Sequence, residues 1–152
     1  MTESSILSRP YVSALPRAII GGLAATIVFT LMLRFLAPVM LGHPMDVAAV
    51  LGAFTGLGAT AGLVIHFLFG ALVFPIAYLI AGPYLPGPGW LRGVVFMAVM
   101  WLLAALIVMP MAGVGLFFGG AKEAMAALVG HVVFGAILGA VARLPGRAVG
   151  AS

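Results

Sequence analysis

The chain has 152 residues, 64% of them hydrophobic and only 7% charged, with seven basic and three acidic side chains. So little polar surface cannot cover a water-soluble domain of this length, and the sequence reads as an integral membrane protein. The net charge of +4 invites nucleic acid, but the basic residues stand singly near segment ends, where Lys and Arg orient helices in a bilayer. Nucleic-acid binding is set aside on that ground. The chain contains no cysteine, which excludes disulfides, thiolate metal sites, iron–sulfur clusters and covalent c-type haem.

Residues 1–17 are mixed and polar and are expected to form a cytoplasmic N-terminal segment. The first apolar run, Ala18 to Leu41, has 24 residues and carries Arg34 and Pro38 near its far end. Signal-peptide cores are roughly 7–15 residues long and end at a small-residue cleavage site. This run is too long and ends in Pro38 and Gly42-His43-Pro44, so it reads as a retained span. Next, Pro44-Met45-Asp46 looks like a helix start with Asp46 as N-cap. The following Val47-Ala48-Ala49-Val50-Leu51 is too short to cross a bilayer and is expected to be an interfacial or re-entrant helix.

Three further runs follow: Leu57 to Ala81, Trp90 to Ala112 with Pro110 near its end, and Ala124 to Ala142. Each is long enough for a hydrocarbon core ~30 Å thick at 1.5 Å per residue. None alternates with period two, so helices are expected and a β-barrel is not. The breaker run Gly82-Pro83-Tyr84-Leu85-Pro86-Gly87-Pro88-Gly89 and the glycine-rich Gly113 to Lys122 are the connections. The predicted fold is all-α: an up-down bundle of four transmembrane helices over residues 18–144, with a short tail at 145–152.

Orientation follows from the basic residues. Arg9, Arg17, Arg92, Arg143 and Arg147 fall on one side, Arg34 and Lys122 on the other. Five against two places both termini in the cytoplasm, with Tyr84 and Trp90 as belt residues at that interface.

Two histidines lie inside the spans, each opening a similar motif: His66-Phe67-Leu68-Phe69-Gly70-Ala71 and His131-Val132-Val133-Phe134-Gly135-Ala136. Aligning them brings Gly56 and Gly120 within one residue and suggests two parallel helical-hairpin repeats. By the helical rise both lie ~11–15 Å from the outer ends, too deep for a short imidazole to reach the headgroups. An ionisable group at that depth is a functional-site hypothesis by default. Each also lies on a stripe of small residues: Gly58, Gly62, His66 and Gly70, and Ala127, His131, Gly135 and Gly139.

Two uses fit this pattern. Small stripes let helices approach, and histidine then hydrogen-bonds between helices. Alternatively, His66 and His131 on diagonal helices could be the axial ligands of a b-type haem, with Gly70 and Gly135 leaving room for the macrocycle and Phe67, Phe69 and Phe134 as walls. Two imidazoles alone make a poor zinc or copper site. Arg34 can snorkel to the outer headgroups or pair with Asp46 at the outer interface, and His43 is expected to be solvated. The methionines Met97, Met100, Met109 and Met111 follow no ligand spacing and read as adaptable packing.

No phosphate loop, Ser-His-Asp set, His-Glu-x-x-His motif or intramembrane carboxylate pair is found, so no catalytic role is expected. Met45-Asp46, Leu51-Gly52, His66-Phe67-x-x-Gly70 and Gly130-His131-x-x-Phe134-Gly135 resemble uncharacterised four-helix prokaryotic membrane proteins similar to the YagU-like inner-membrane proteins. The resemblance implies four spans in the cytoplasmic membrane and a role for Asp46, His66 and His131, and no activity. Three readings stay open: an accessory subunit in a larger membrane complex, a haem b electron carrier, and an oligomeric channel or small-solute carrier. The small residues Gly21, Gly22 and Ala25, with Gly52 and Gly56, are the expected partner-facing surface of the first.

Overall fold

A computed structural model describes residues 10–144, and among these every regular element is a helix. Four helices are long and apolar enough to cross a membrane: α1 (Ser13–Leu41), α3 (Gly58–Tyr84), α4 (Gly89–Met111) and α5 (Ala121–Ala142). The short helix α2 (Val47–Thr55) lies between the first two. The expected spans thus form, each shifted by only a few residues. Arg9 and Arg147 lie outside the described residues.

Asp46 begins α2 as anticipated: its Oδ1 accepts the Ala49 N–H at 2.9 Å. The helix runs one turn beyond Leu51 and stops at Gly56, which takes the left-handed φ of 71° that a β-carbon would resist. It then doubles back along the start of α3. Here the backbones touch: a β-carbon on Gly62 would overlap the Ala48 carbonyl, and one on Gly52 would overlap Gly58.

Around the bundle, α1 packs against both α3 and α5, and α4 packs against α5. The α4–α5 contact is made by Gly89 and Gly93 set against Gly139 and Gly135, where any β-carbon would strike the facing backbone. On the other side, Gly22 meets Gly70 and Pro75, and Gly21 meets Val141. Small residues therefore set the helix separations, as dispersion packing in lipid requires. The partner-facing role expected for Gly21, Gly22, Ala25 and Gly52 is corrected here. Ala25 is fully buried, and the three glycines are covered by this chain's own helices.

Helices α3 and α4 meet near the end where α1 begins and α5 finishes; there the Tyr78 and Phe96 ring centroids lie 5.6 Å apart at a 60° tilt, and the Tyr78 hydroxyl donates to the Gly89 carbonyl at 3.0 Å. Arg92 closes the same end by donating to the carbonyls of Gly87 and Leu144. Helices α3 and α5 stand diagonally and touch through Phe74 and Phe134, whose centroids are 6.1 Å apart.

Three of the four spans contain a widened π-turn: Met32–Leu36, Phe69–Val73 and Ala104–Val108. Each stops two residues before a proline, at Pro38, Pro75 and Pro110. Proline offers no N–H and crowds the preceding turn, so the helix opens there. In α1 the Ala37 N–H goes back to Met32, and Pro38 has none to give. The Leu33 carbonyl instead accepts the Met45 N–H from the following loop at 3.3 Å. Helix α5 contains neither proline nor π-turn.

Candidate functional site

His66 is buried between α3 and α1, where its Nε2 lies 3.0 Å from the Thr30 hydroxyl. That hydroxyl donates its single hydrogen to the Thr26 carbonyl at 2.7 Å, and Thr26 in turn donates to Gly22 at 2.7 Å. Thr30 must then accept, so neutral His66 carries its proton on Nε2 and leaves Nδ1 as the lone-pair nitrogen. A polar ladder thus descends one face of α1 at four-residue spacing. Gly70, one turn beyond His66, lies against Thr26, so no β-carbon fits there.

His131 solves the same solvation problem differently. Its Nδ1 lies 2.8 Å from the Ala127 carbonyl of its own helix. A carbonyl only accepts, so Nδ1 carries the proton and Nε2 the lone pair. The two imidazoles are therefore opposite tautomers.

Both rings pack on Phe29 of α1. Its centroid lies 5.9 Å from that of His66, at a tilt of 32°, and 5.1 Å from that of His131, edge to face. Gly130 makes this possible, because a β-carbon there would overlap the Phe29 ring. The histidines thus share a neighbour, and Phe29 occupies the space common to both. A porphyrin held by the pair would require that ring to leave, so the side chains as placed do not frame a macrocycle. Among the proposed haem walls, Phe134 is core, Phe67 stands edge-on to His66 at 5.6 Å, and Phe69 is 44% exposed on the outer face of α3. Gly70 and Gly135 are filled against α1 and α4 and leave no gap for a ligand.

Phe29, Thr26 and Thr30 escaped the sequence reading. The available signal was the four-residue spacing of Gly22, Thr26 and Thr30, which puts two hydroxyls on one face of an apolar helix.

Of the two uses weighed for Arg34, the pair with Asp46 does not form. Asp46 spends its carboxylate on the helix cap, and Arg34 is exposed with its guanidinium 5.9 Å from the Phe35 ring centroid. At this end His43 Nε2 lies 3.8 Å from Glu123 Oε1, linking the loop after α1 to the first turn of α5. His43 was expected to be simply solvated. It is exposed, but it has a partner.

A family model covers residues 12–148, which takes in every element described above. The chain belongs to the family of unknown function DUF6789. Comparison with curated proteins and with solved structures finds no match. The family model spans all four membrane-length helices of this DUF6789 protein, the Asp46 cap and both histidines. It assigns none of them a role.

Proposed function

We propose that this multi-pass membrane protein is a non-catalytic subunit that packs against other membrane components, with His66 and His131 holding its own helices together. The observation that carries this reading is the His66–Thr30 bond between spans, backed by an interior whose buried side-chain polar atoms, among the described residues, all have partners. Spent in this way, His66 makes an interhelical hydrogen bond of the kind common in lipid, while His131 bonds its own helix and meets α1 through the Phe29 ring. The cavity between α1 and α5, lined by Met32, Leu33 and Gly130 among others, holds only about 10 Å³.

What remains for interaction is the outside. Helices α1, α3 and α4 keep most of their apolar surface uncovered, including Ile20, Ile27, Phe35, Leu103 and Ile107. The bilayer is one partner of these faces, and a larger complex or homo-oligomer is the other. We place the protein in the bacterial cytoplasmic membrane, alongside proteins of the YagU type. Arg17, Arg92 and Arg143 support cytoplasmic termini, opposite Arg34 and Lys122.

Purification in a mild detergent, from cells supplied with haem and treated beforehand with a membrane-permeant crosslinker, tests the proposal. The expected result is a colourless protein crosslinked to other membrane proteins or to itself. A Soret band lost in both His66→Ala and His131→Ala would replace this reading with the bis-histidine electron carrier. Solute flux into liposomes that changes in His66→Ala would replace it with the carrier.

A further inference from the structure

His43, in the loop between α1 and α2, makes two contacts of different kinds. Its Nδ1 lies 3.3 Å from the Pro44 carbonyl, which can only accept, so Nδ1 holds a proton whether the ring is neutral or charged. Its Nε2 faces Glu123 Oε1 at 3.8 Å. On a neutral ring that nitrogen is a bare lone pair opposed to a carboxylate, and two acceptors do not bond. A second proton turns the same approach into a charge-assisted contact. The geometry therefore responds to one proton, and histidine is the side chain that ordinarily gains one between about pH 5 and 8. With 58% of its side chain exposed, His43 is open to that proton.

The surrounding charges leave Glu123 as the partner. Around the loop stand Arg34 on α1, Asp46 at the start of α2, and Lys122 and Glu123 in the first turn of α5. Asp46 accepts the Ala49 N–H, and the Arg34 guanidinium faces the Phe35 ring. Lys122 is exposed and carries the same sign as an imidazolium. Glu123 stands at the positive end of α5, where a carboxylate is favoured, with its Oε2 against Gly120. The loop also has a pivot: Gly42 is left-handed at φ 82° with nothing within 4 Å. Beyond it, α2 packs chiefly on the start of α3, and Met45 ties the loop to α1 by a 3.3 Å bond to the Leu33 carbonyl.

We propose that His43 and Glu123 are a proton-operated latch, which ties the loop between α1 and α2 to α5 when the imidazole is charged and frees it when the ring is neutral. The tie is present at acid pH and is lost as pH rises through the histidine range, while carboxylates ordinarily take up protons only lower still. The device uses neither buried histidine and does not depend on the subunit reading.

Hydrogen exchange at the Met45 amide, compared between variants at one pH so that the intrinsic rate cancels, tests the latch. At about pH 5.5, Glu123→Gln and His43→Gln should each exchange about 1.5- to 5-fold faster than the unaltered protein, the range for an exposed ion pair, and combining them should add nothing. At about pH 8 all of these should agree, because the ring is then neutral. His43→Lys, charged throughout, should keep slow exchange at both pH values. The amide of Leu138, fully buried in α5, is the fold control. If it changes in Glu123→Gln, the two His43 variants, which alter only the exposed loop, decide. Equal Met45 rates at acid pH, or a Glu123→Gln effect of one size at both pH values, overturns the latch. So does a His43→Lys protein that exchanges like His43→Gln.

Discussion

Gly93 of α4 and Gly135 of α5 meet backbone against backbone, each occupying the space where the other's β-carbon would stand. Together with Gly89 and Gly139 they bring two spans into direct main-chain contact, without any polar side chain. In lipid, where apolar surface gains little by leaving the solvent, such closeness is the main source of adhesion between helices.

Gly93→Ala is expected to destabilise the fold by about 1–3 kcal/mol or more, because the obstruction is backbone and cannot rotate away. Gly42→Asn is the control: Gly42 is left-handed at φ 82° with nothing within 4 Å, and Asn tolerates that conformation. Unfolding in mixed detergent should separate the two. Equal midpoints would mean that the glycine contact does not set stability.

His66 and Thr30 should be energetically coupled. A double-mutant cycle of His66→Ala with Thr30→Val is expected to give about 0.6–1.7 kcal/mol, the range found for interhelical hydrogen bonds in membranes. His131→Ala with Thr30→Val should give none, since His131 bonds within its own helix. Additive effects in the first cycle would show that the bond is not made.

Pro38→Ala should loosen the start of α2. The new amide competes for the carbonyls of the preceding turn, including the Leu33 oxygen that Met45 now uses. Hydrogen exchange at Met45 should accelerate roughly fivefold for a bond worth about 1 kcal/mol. Unchanged protection would mean that proline does not keep that carbonyl open.

Phe118 is a second left-handed residue, at φ 61°. Such a conformation costs about 1–3 kcal/mol for a non-glycine residue. Phe118→Gly should therefore raise stability by about 1 kcal/mol after the lost ring contacts, and Phe118→Val should lower it. Thermal unfolding of the two variants decides, and a lower midpoint for the glycine variant would show that the ring outweighs the backbone.

The elements were legible because apolar length, proline-glycine breakers and the Asp46 cap act locally. Their pairing was not. Gly21, Gly22 and Gly52 read as free surface, because a small-residue stripe announces close contact without naming the neighbour, and here the neighbours are α5, α3 and the turn into α3. The histidines were found by their rarity in apolar sequence, but their surroundings depend on Phe29, which looks like any lipid-facing aromatic until Gly130 makes room for it. Arg34 and Asp46 were matched by depth and charge as one candidate pair, beside the cap that Asp46 also offered. The free amide at the start of α2 claimed the carboxylate first.

Helix α5 has half of its central window buried, against 22–28% for the other three spans. It also follows the other three spans in sequence. Until it enters the bilayer, α1 lacks the face that receives Gly21, and α4 has nothing opposite Gly93. Assembly must therefore wait on this fourth span, and a message broken before Ala121 would yield three inserted segments with no common keel, a natural substrate for membrane proteolysis.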